Sequence, residues 1–256
     1  MLNTAIQQRI WRTFGNMILS RLRALMPNSN IRRKRGTIRM KELLFFSVSA
    51  YLLGSVNFAI LVMKATGRGD PRTRFSGNAG ATNVYRQAGL FWAAVVLLLD
   101  FGRALLFSFL SVYLTGKTLA PWVCLFLLLG NRFPCFHQFK GGKGVGSYLG
   151  FTAALSPLSS LLSCLVWLAC YSLFHIPFIA SVGMIFILST GSMIAVSWDA
   201  PAVIGIGLVT MLLLANHGPN IKHHFRVKYL SCDHDLKNSD ESPLKNTSPK
   251  IGSNNK

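Results

Sequence analysis

Acidic residues are scarce in this chain of 256 residues, with eight Asp and Glu against 27 Lys and Arg. Between positions 43 and 216 the carboxylates are Asp70, Asp100 and Asp199 alone, so two carboxylates sharing acid and base work over one bond are nearly excluded there. Charge of either sign is thin at 14%, whereas 51% of residues are hydrophobic and mean hydropathy is +0.39. That balance excludes an ordinary soluble domain and makes a lipid bilayer the expected solvent. Cys124, Cys135, Cys164, Cys170 and Cys232 are odd in number, scattered and without a CxxC pair. Neither a disulfide framework nor a zinc site is indicated, and no metal or cofactor is expected.

What charge there is sits unevenly. Residues 1–39 hold nine Lys and Arg and no acid, and residues 217–256 add seven bases against four acids. Such arms suit nucleic acid or an anionic membrane surface; with so apolar a body between them, membrane lipid is the expected partner and nucleic acid is not. Ile10, Phe14, Met17, Ile18, Leu22 and Leu25 recur near helical spacing among arginines. That pattern fits a surface amphipathic helix or an extension without function. The extension lacks the unbroken apolar stretch and small-residue cleavage site of a signal peptide.

Apolar runs at 43–63, 90–114, 119–133, 157–174, 177–197 and 200–216 read as membrane spans, and a shorter one at 144–155 is too brief to cross about 30 Å of hydrocarbon unaided. Hydropathy alone therefore gives six or seven. Basic residues gather at 64–87, at 132–143 and after His217, whereas the connections near Gly116 and Asp199 carry one base or none. Cations favour the cytoplasmic side, so the three basic segments share that face and the number of crossings is odd. The expected fold is an all-α integral membrane protein of about seven transmembrane helices, some short or broken, with the seventh supplied by 144–155 turning at Ser156-Pro157. This places the amino terminus outside, where nine cations are disfavoured. One resolution starts the biological chain at Met40-Lys41-Glu42, and an intact mass from the native host that included residues 1–39 would remove it. The expected organisation is a basic extension over 1–39, a membrane-embedded domain over 40–230 and a polar, disordered tail over 231–256.

The three basic segments also carry small and polar residues. In the first, Ser76, Gly77, Asn78, Thr82 and Asn83 let backbone N–H groups approach an anion, and Arg72 and Arg86 offer two-pronged donors. In the second, Lys140-Gly141-Gly142-Lys143-Gly144 stands directly before a helix, the arrangement of an anion nest at a helix N-terminus. It is not a nucleotide P-loop, which needs Gly at His137 and Ser or Thr at Gly144. Bland alternatives stay open: a solvated loop that only fixes topology, and glycines that only let helices touch. His217 and Asn220 form a weak His-x-x-Asn at a helix exit. His223 and His224 face different ways on a helix and have no acidic or cysteine partner nearby, so they are not read as metal ligands. Asp100 and Arg103, three apart near mid-bilayer, read as a structural ion pair ahead of a catalytic one.

Taken together, these residues resemble the acyl-phosphate-dependent glycerol-3-phosphate acyltransferases of bacterial membranes, the PlsY family. The likeness runs from about Leu43 to Phe225 and rests on ordered motifs. They are Gly54-Ser55, then Ser76-Gly77-Asn78-x-Gly80-Ala81-Thr82-Asn83-Val84-x-Arg86, then Phe133-Pro134 with Phe139-Lys140-Gly141-Gly142-Lys143-Gly144-Val145, and finally His217-x-x-Asn220-Ile221. The resemblance implies transfer of a fatty acyl group from acyl phosphate to the 1-hydroxyl of glycerol 3-phosphate, giving lysophosphatidic acid and phosphate. It implies a multi-pass protein of the bacterial inner membrane with an external amino terminus and a cytoplasmic-face active site, and a monomer is the working expectation.

By the same resemblance, Ser76, Arg86 and Lys143 contact phosphate, and the Gly141-Gly142-Lys143-Gly144 loop cradles glycerol phosphate. His217 and Asn220 position the hydroxyl or phosphate, and Gly77, Asn78, Thr82, Asn83 and Lys140 complete the binding set. This chain departs from the family's pattern at Phe75, where glycine is usual, at Asn131, where histidine is usual, and at Arg103-Ala104 and Val227-Lys228-Tyr229. A divergent member of weak activity is therefore one alternative reading. Another is an anion transporter built on broken helices, although its expected internal repeats are missing. An acyl-CoA or acyl-carrier-protein enzyme of the His-x-x-x-x-Asp type does not fit, because Lys222 stands five residues after His217.

Overall fold

The computed structural model describes the backbone of residues 40–241 and side chains over 43–221. The basic extension, including the amphipathic pattern at Ile10 to Leu25, lies outside the described residues, as do residues 242–256. Among the described residues every regular element is a helix. The helices are α1 (Met40–Ser55), α2 (Phe58–Ala65), α3 (Ala81–Ala88), α4 (Leu90–Thr115), α5 (Ala120–Arg132), α6 (Val145–Leu155), α7 (Pro157–Phe174), α8 (Pro177–Ala195) and α9 (Ala200–Glu241).

Among the described residues, five stretches are long and apolar enough to cross a membrane: Leu43–Ala65, Leu90–Thr115, Pro157–Phe174, Pro177–Ala195 and Ala200–Ile221. At 1.5 Å per residue a crossing takes about 20 residues. The 13 residues of α5 and the 11 of α6 fall short of that. Leu44, Leu98, Leu106, Leu161, Leu165 and Leu168 are exposed, which is the pattern of a bundle whose outer face meets lipid. The interior is built where the helices converge: Leu127, Leu128, Phe151, Ile185, Leu188 and Leu213 are fully enclosed.

Two details differ from the pattern of spans. The run expected as one span over 43–63 is broken at Val56-Asn57, because Asn57 caps α2 with its side chain accepting the Ile60 N–H at 3.1 Å. Its Nδ2 donates onward to the Ala79 carbonyl at 3.3 Å, so the break is tied to the first polar loop. At the other end, α9 does not stop near Asn216 but continues through Pro219 to Glu241. His217 and Asn220 thus stand on a helix and not in a loop beyond it.

Glycine sets the closest approaches. A Cβ added at Gly54 would lie 2.1 Å from the Leu127 carbonyl oxygen, and one at Gly130 would lie 2.1 Å from that of Tyr51. The backbones of α1 and α5 are therefore in direct contact, as small residues permit between membrane helices. Gly150 on α6 meets α4 in the same way, 2.2 Å from the Phe101 carbonyl oxygen. These contacts fix the last turn of α5 and the body of α6, between which the second polar loop runs.

The Asp100–Arg103 pair holds the middle. Arg103 reaches Asp100 at 3.0 Å and Ser147 Oγ at 3.1 Å with Nη2. Its Nη1 donates to the Leu53 carbonyl at 3.0 Å and to that of Val56. Those carbonyls are at the α1–α2 break, so one guanidinium joins α4, the broken first span and the first turn of α6. This is the arrangement of a structural ion pair.

Candidate functional site

An open cavity of about 290 Å³ lies where the three basic segments meet. Its wall takes Arg72, Ser76, Gly77 and Asn78 from the first, Arg132, Phe133, Phe139, Lys140, Gly141 and Lys143 from the second, and Asn216, Pro219 and Asn220 from the third. Seven of the expected site residues are thereby brought together: Ser76, Gly77, Asn78, Lys140, Gly141, Lys143 and Asn220. Arg86, Thr82, Asn83, Gly142, Gly144 and His217 are not on the wall.

Each of those six has a definite place. Asn83 is buried beneath the first loop, and its Nδ2 donates to the carbonyls of Pro71 at 2.7 Å, Asn78 at 2.9 Å and Arg74 at 3.3 Å. It shapes the loop that carries Ser76 and Asn78. Thr82 and Arg86 are exposed on α3, with Arg86 near enough to Lys143 for their charges to repel. Gly142 packs against the Ala79 carbonyl, where a Cβ would come within 2.6 Å of the oxygen, and this abuts the first loop on the second. Gly144 caps α6 with φ +87°, a backbone conformation that favours glycine. His217 is enclosed on α9 with Nδ1 2.8 Å from the Leu213 carbonyl.

The glycine loop is held more tightly than a free anion nest. The Gly141 N–H donates to the Arg132 carbonyl at 3.1 Å and the Gly142 N–H to that of Asn131 at 3.0 Å, so neither amide is open to a ligand. Asn216 Nδ2 donates to the Lys143 carbonyl at 3.2 Å and ties the loop to α9. The unspent donors here are the Lys143 ammonium and the first-turn amides of α6, which a helix leaves without intrahelical acceptors.

Electrostatically the wall is one-sided. It includes no carboxylate, and among the described residues the two ion pairs are Asp70–Arg72 and Asp100–Arg103, leaving Arg86, Arg132, Lys140 and Lys143 without an acidic partner. Partial burial, and then the positive charges of Arg132 and Arg86, push the Lys143 ammonium down to about 8. Burial, followed by Arg72 and Lys64, likewise holds the His137 imidazole below its ordinary value. Such a cluster is relieved by an anion. The described residues contain no group of three or more His, Cys, Asp or Glu able to hold a metal ion.

Arg132 and Asn216 were not among the site residues expected from sequence. In sequence Arg132 reads only as a topological charge, though its position beside Phe133-Pro134 puts it at the mouth of the second motif. Asn216 adjoins the His-x-x-Asn signal, and its role depends on α9 continuing as a helix.

Comparison with known proteins agrees with this picture. Residues 44–227 match the family model described as glycerol-3-phosphate acyltransferase. The chain is 36% identical over 182 residues to the glycerol-3-phosphate acyltransferase of Pseudomonas fluorescens, covering 70% of this chain and 94% of that one. It is 37% identical over 178 residues to that of Methylobacillus flagellatus, covering 69% and 90%. Among solved structures, it resembles PlsY, an integral membrane glycerol 3-phosphate acyltransferase, in its glycerol 3-phosphate form, with a TM-score of 0.67, 31% identity and coverage of 72% of this chain and 92% of that one. The lysophosphatidic acid form gives a TM-score of 0.65 at 29% identity over the same shares. With ordered motifs on one cavity and a family match across most of its length, this chain belongs to the glycerol-3-phosphate acyltransferase family of integral membrane proteins.

Proposed function

We propose that the protein transfers a fatty acyl group from acyl phosphate to the 1-hydroxyl of glycerol 3-phosphate, releasing lysophosphatidic acid and phosphate. The observation that carries this reading is the meeting of Ser76 and Asn78, Lys140 and Lys143, and Asn220 on one cavity wall that includes no carboxylate. Both substrates bear phosphate, and an acyl phosphate is already activated as a mixed anhydride. The enzyme's task is to hold two anions in line and to stabilise charge at the carbonyl and the leaving phosphate. Cations and hydroxyl or amide donors do that without a protein nucleophile.

In this reading Lys143 and Ser76 grip phosphate from the wall, Arg86 reaches it from the exposed side of α3 near Lys143, and Lys140 with the Gly77-Asn78 turn completes the cradle. Thr82, Asn83, Gly142 and Gly144 support it by fixing the shape of the two loops. Asn220 and His217 on α9 orient the glycerol hydroxyl or its phosphate. The hydroxyl oxygen forms the new bond to the acyl carbon as the carbon–oxygen bond to phosphate breaks, and the hydroxyl proton passes to a phosphate oxygen of the substrate. At about 290 Å³ the cavity suits the polar ends of both substrates, with the acyl chain lying along the lipid-facing side. The membrane domain over 40–230 acts as a monomer of the bacterial inner membrane, α5 and α6 completing seven crossings and the cavity opening to the cytoplasm.

The test is release of inorganic phosphate in step with new lysophosphatidic acid when purified protein meets acyl phosphate and glycerol 3-phosphate, with Lys143→Ala beside the parent. Turnover by the parent and its loss by at least a hundredfold in the variant is expected, since a transition-state charge contact is typically worth that much. Turnover with acyl-CoA in place of acyl phosphate would refute the donor. Unchanged turnover in Lys143→Ala would refute the site.

A further inference from the structure

Arg72 stands on the cavity wall, yet its guanidinium is already engaged. Nε donates to Asp70 Oδ1 at 2.9 Å and Oδ2 at 3.1 Å, and Nη2 donates to Oδ2 at 2.6 Å. Nη1 donates to the His137 carbonyl at 2.8 Å and the Lys140 carbonyl at 3.0 Å. Four of the five N–H groups are therefore spent, two of them on backbone 65 and 68 residues away. Asp70 in turn accepts the Arg72 backbone N–H at 2.9 Å and caps the 3-10 turn Pro71–Thr73. That turn supports Asn83 and Gln87, whose amides both donate to the Pro71 carbonyl.

The two ends of this connection are the two halves of the cavity. Asp70 and Pro71 belong to the loop that leads to Ser76 and Asn78, and His137 and Lys140 belong to the loop that leads to Lys143. On the other side of the guanidinium, the second loop is pinned to its own helix by the Gly141 and Gly142 amides, and to α9 by Asn216. Apart from the Gly142–Ala79 backbone contact, the Asp70–Arg72 pair supplies the polar tie between the loops. A lysine in its place could not reach the carboxylate and both carbonyls together, because only a planar fork presents donors in that arrangement.

We infer that Asp70 and Arg72 form a clasp that sets the separation of the two phosphate-gripping loops, making Arg72 a positioning residue for acyl transfer and not itself a ligand of substrate phosphate. The inference rests on the proposed activity, whose rate depends on the distance between two bound phosphates. Reacting atoms must be held about 3–3.5 Å apart, and a misplacement of about 1 Å costs on the order of a hundredfold in rate. Loosening the clasp therefore lowers kcat while each loop still binds its own anion, so KM changes little.

The experiment compares Asp70→Asn, Arg72→Lys and Arg72→Ala with the parent, following kcat, KM for each substrate, thermal unfolding and hydrogen exchange of the 134–144 loop. Expected are a fall in kcat of about tenfold to a hundredfold in all three variants, KM within about threefold of the parent, and faster exchange in the loop. Methylguanidinium added to Arg72→Ala is expected to restore part of kcat without moving the melting temperature, because it refills the fork and not the fold. A kcat within twofold of the parent in every variant overturns the inference, and so does a loss that tracks lowered melting and is not rescued. A large rise in KM for one substrate with kcat kept overturns it in favour of direct phosphate binding. If the parent itself fails to acylate glycerol 3-phosphate, the proposed activity falls. Exchange then decides for the clasp alone: faster in the variants supports it, unchanged overturns it.

Discussion

Gly54 and Gly130 are reciprocal: each lets its helix rest on the other's backbone, with a Cβ at either position landing 2.1 Å from a carbonyl oxygen of the facing helix. Gly130 immediately precedes Asn131 and Arg132, whose carbonyls hold the Gly142 and Gly141 amides. Helix contact and loop position are thus one construction. Gly130→Ala must push α1 and α5 apart, because the obstacle is backbone and cannot rotate away. A loss of about 1–3 kcal/mol is expected, read by thermal or denaturant unfolding in detergent, together with loss of turnover. Wild-type stability in that variant would show that the two helices are not in contact.

Phe75 occupies a left-handed conformation, with φ +52°, a region of backbone space that favours glycine. A side chain there costs roughly 1–2 kcal/mol, partly offset by the lower backbone entropy loss of a non-glycine residue. Phe75 is 69% exposed and gives up little packing on removal. Phe75→Gly is expected to stabilise the protein by about 0.5–1 kcal/mol, visible as a higher melting temperature. A lower one would mean that the ring is held by lipid or substrate.

Much of this was legible beforehand, for identifiable reasons. The spans at Pro157–Phe174 and Leu90–Thr115 are long, apolar and bounded by turn residues, so hydropathy finds them to within a residue. The break at Val56-Asn57 was not, because a single asparagine inside a long apolar run looks like an ordinary tolerated polar residue until its partners at Ile60 and Ala79 are seen. Composition marked the Gly141-Gly142 pair as an anion nest, yet its amides face Arg132 and Asn131. Sequence shows which residues have free conformations, not which acceptor lies opposite. Arg72 illustrates the same gap: as a cation in a glycine-rich loop it promises a phosphate ligand, and only its contacts at positions 70, 137 and 140 make it a tie.

The alkaline side of the pH profile follows from Lys143. Its ammonium is pushed down to about 8 by burial first and then by Arg132 and Arg86, so the cation is present below about pH 8 and is lost as pH rises through it. Turnover that needs this charge is expected to fall with an apparent midpoint near 8. Arg132→Gln removes one repelling charge and should move that limb to higher pH. Stability runs the other way: between about pH 8 and the ordinary lysine value of 10.5 the unfolded chain binds more protons than the folded one, so this group makes folding more favourable as pH rises across that window. A profile of kcat/KM flat through pH 9 would show that Lys143 is not the group whose charge matters.

Among the described residues Arg103 is the one buried arginine or lysine. With 5% of its side chain accessible, it pairs with Asp100, donates to the Leu53 and Val56 carbonyls and to Ser147, and lies 5.0 Å from the centre of the Phe58 ring. Truncation leaves Asp100 as a buried carboxylate without a partner and frees two carbonyls at the break in the first span, inside the apolar layer. Arg103→Leu is expected to cost about 3–5 kcal/mol, enough to lower the yield of folded protein from membranes. Asp100→Asn keeps an acceptor oxygen for the guanidinium and removes the charge, so a smaller loss is expected. Restoring part of the stability by combining Asp100→Asn with Arg103→Leu would identify the stranded carboxylate as the main cost. If the double variant is no better than Arg103→Leu alone, the cost lies instead in the freed carbonyls of Leu53 and Val56.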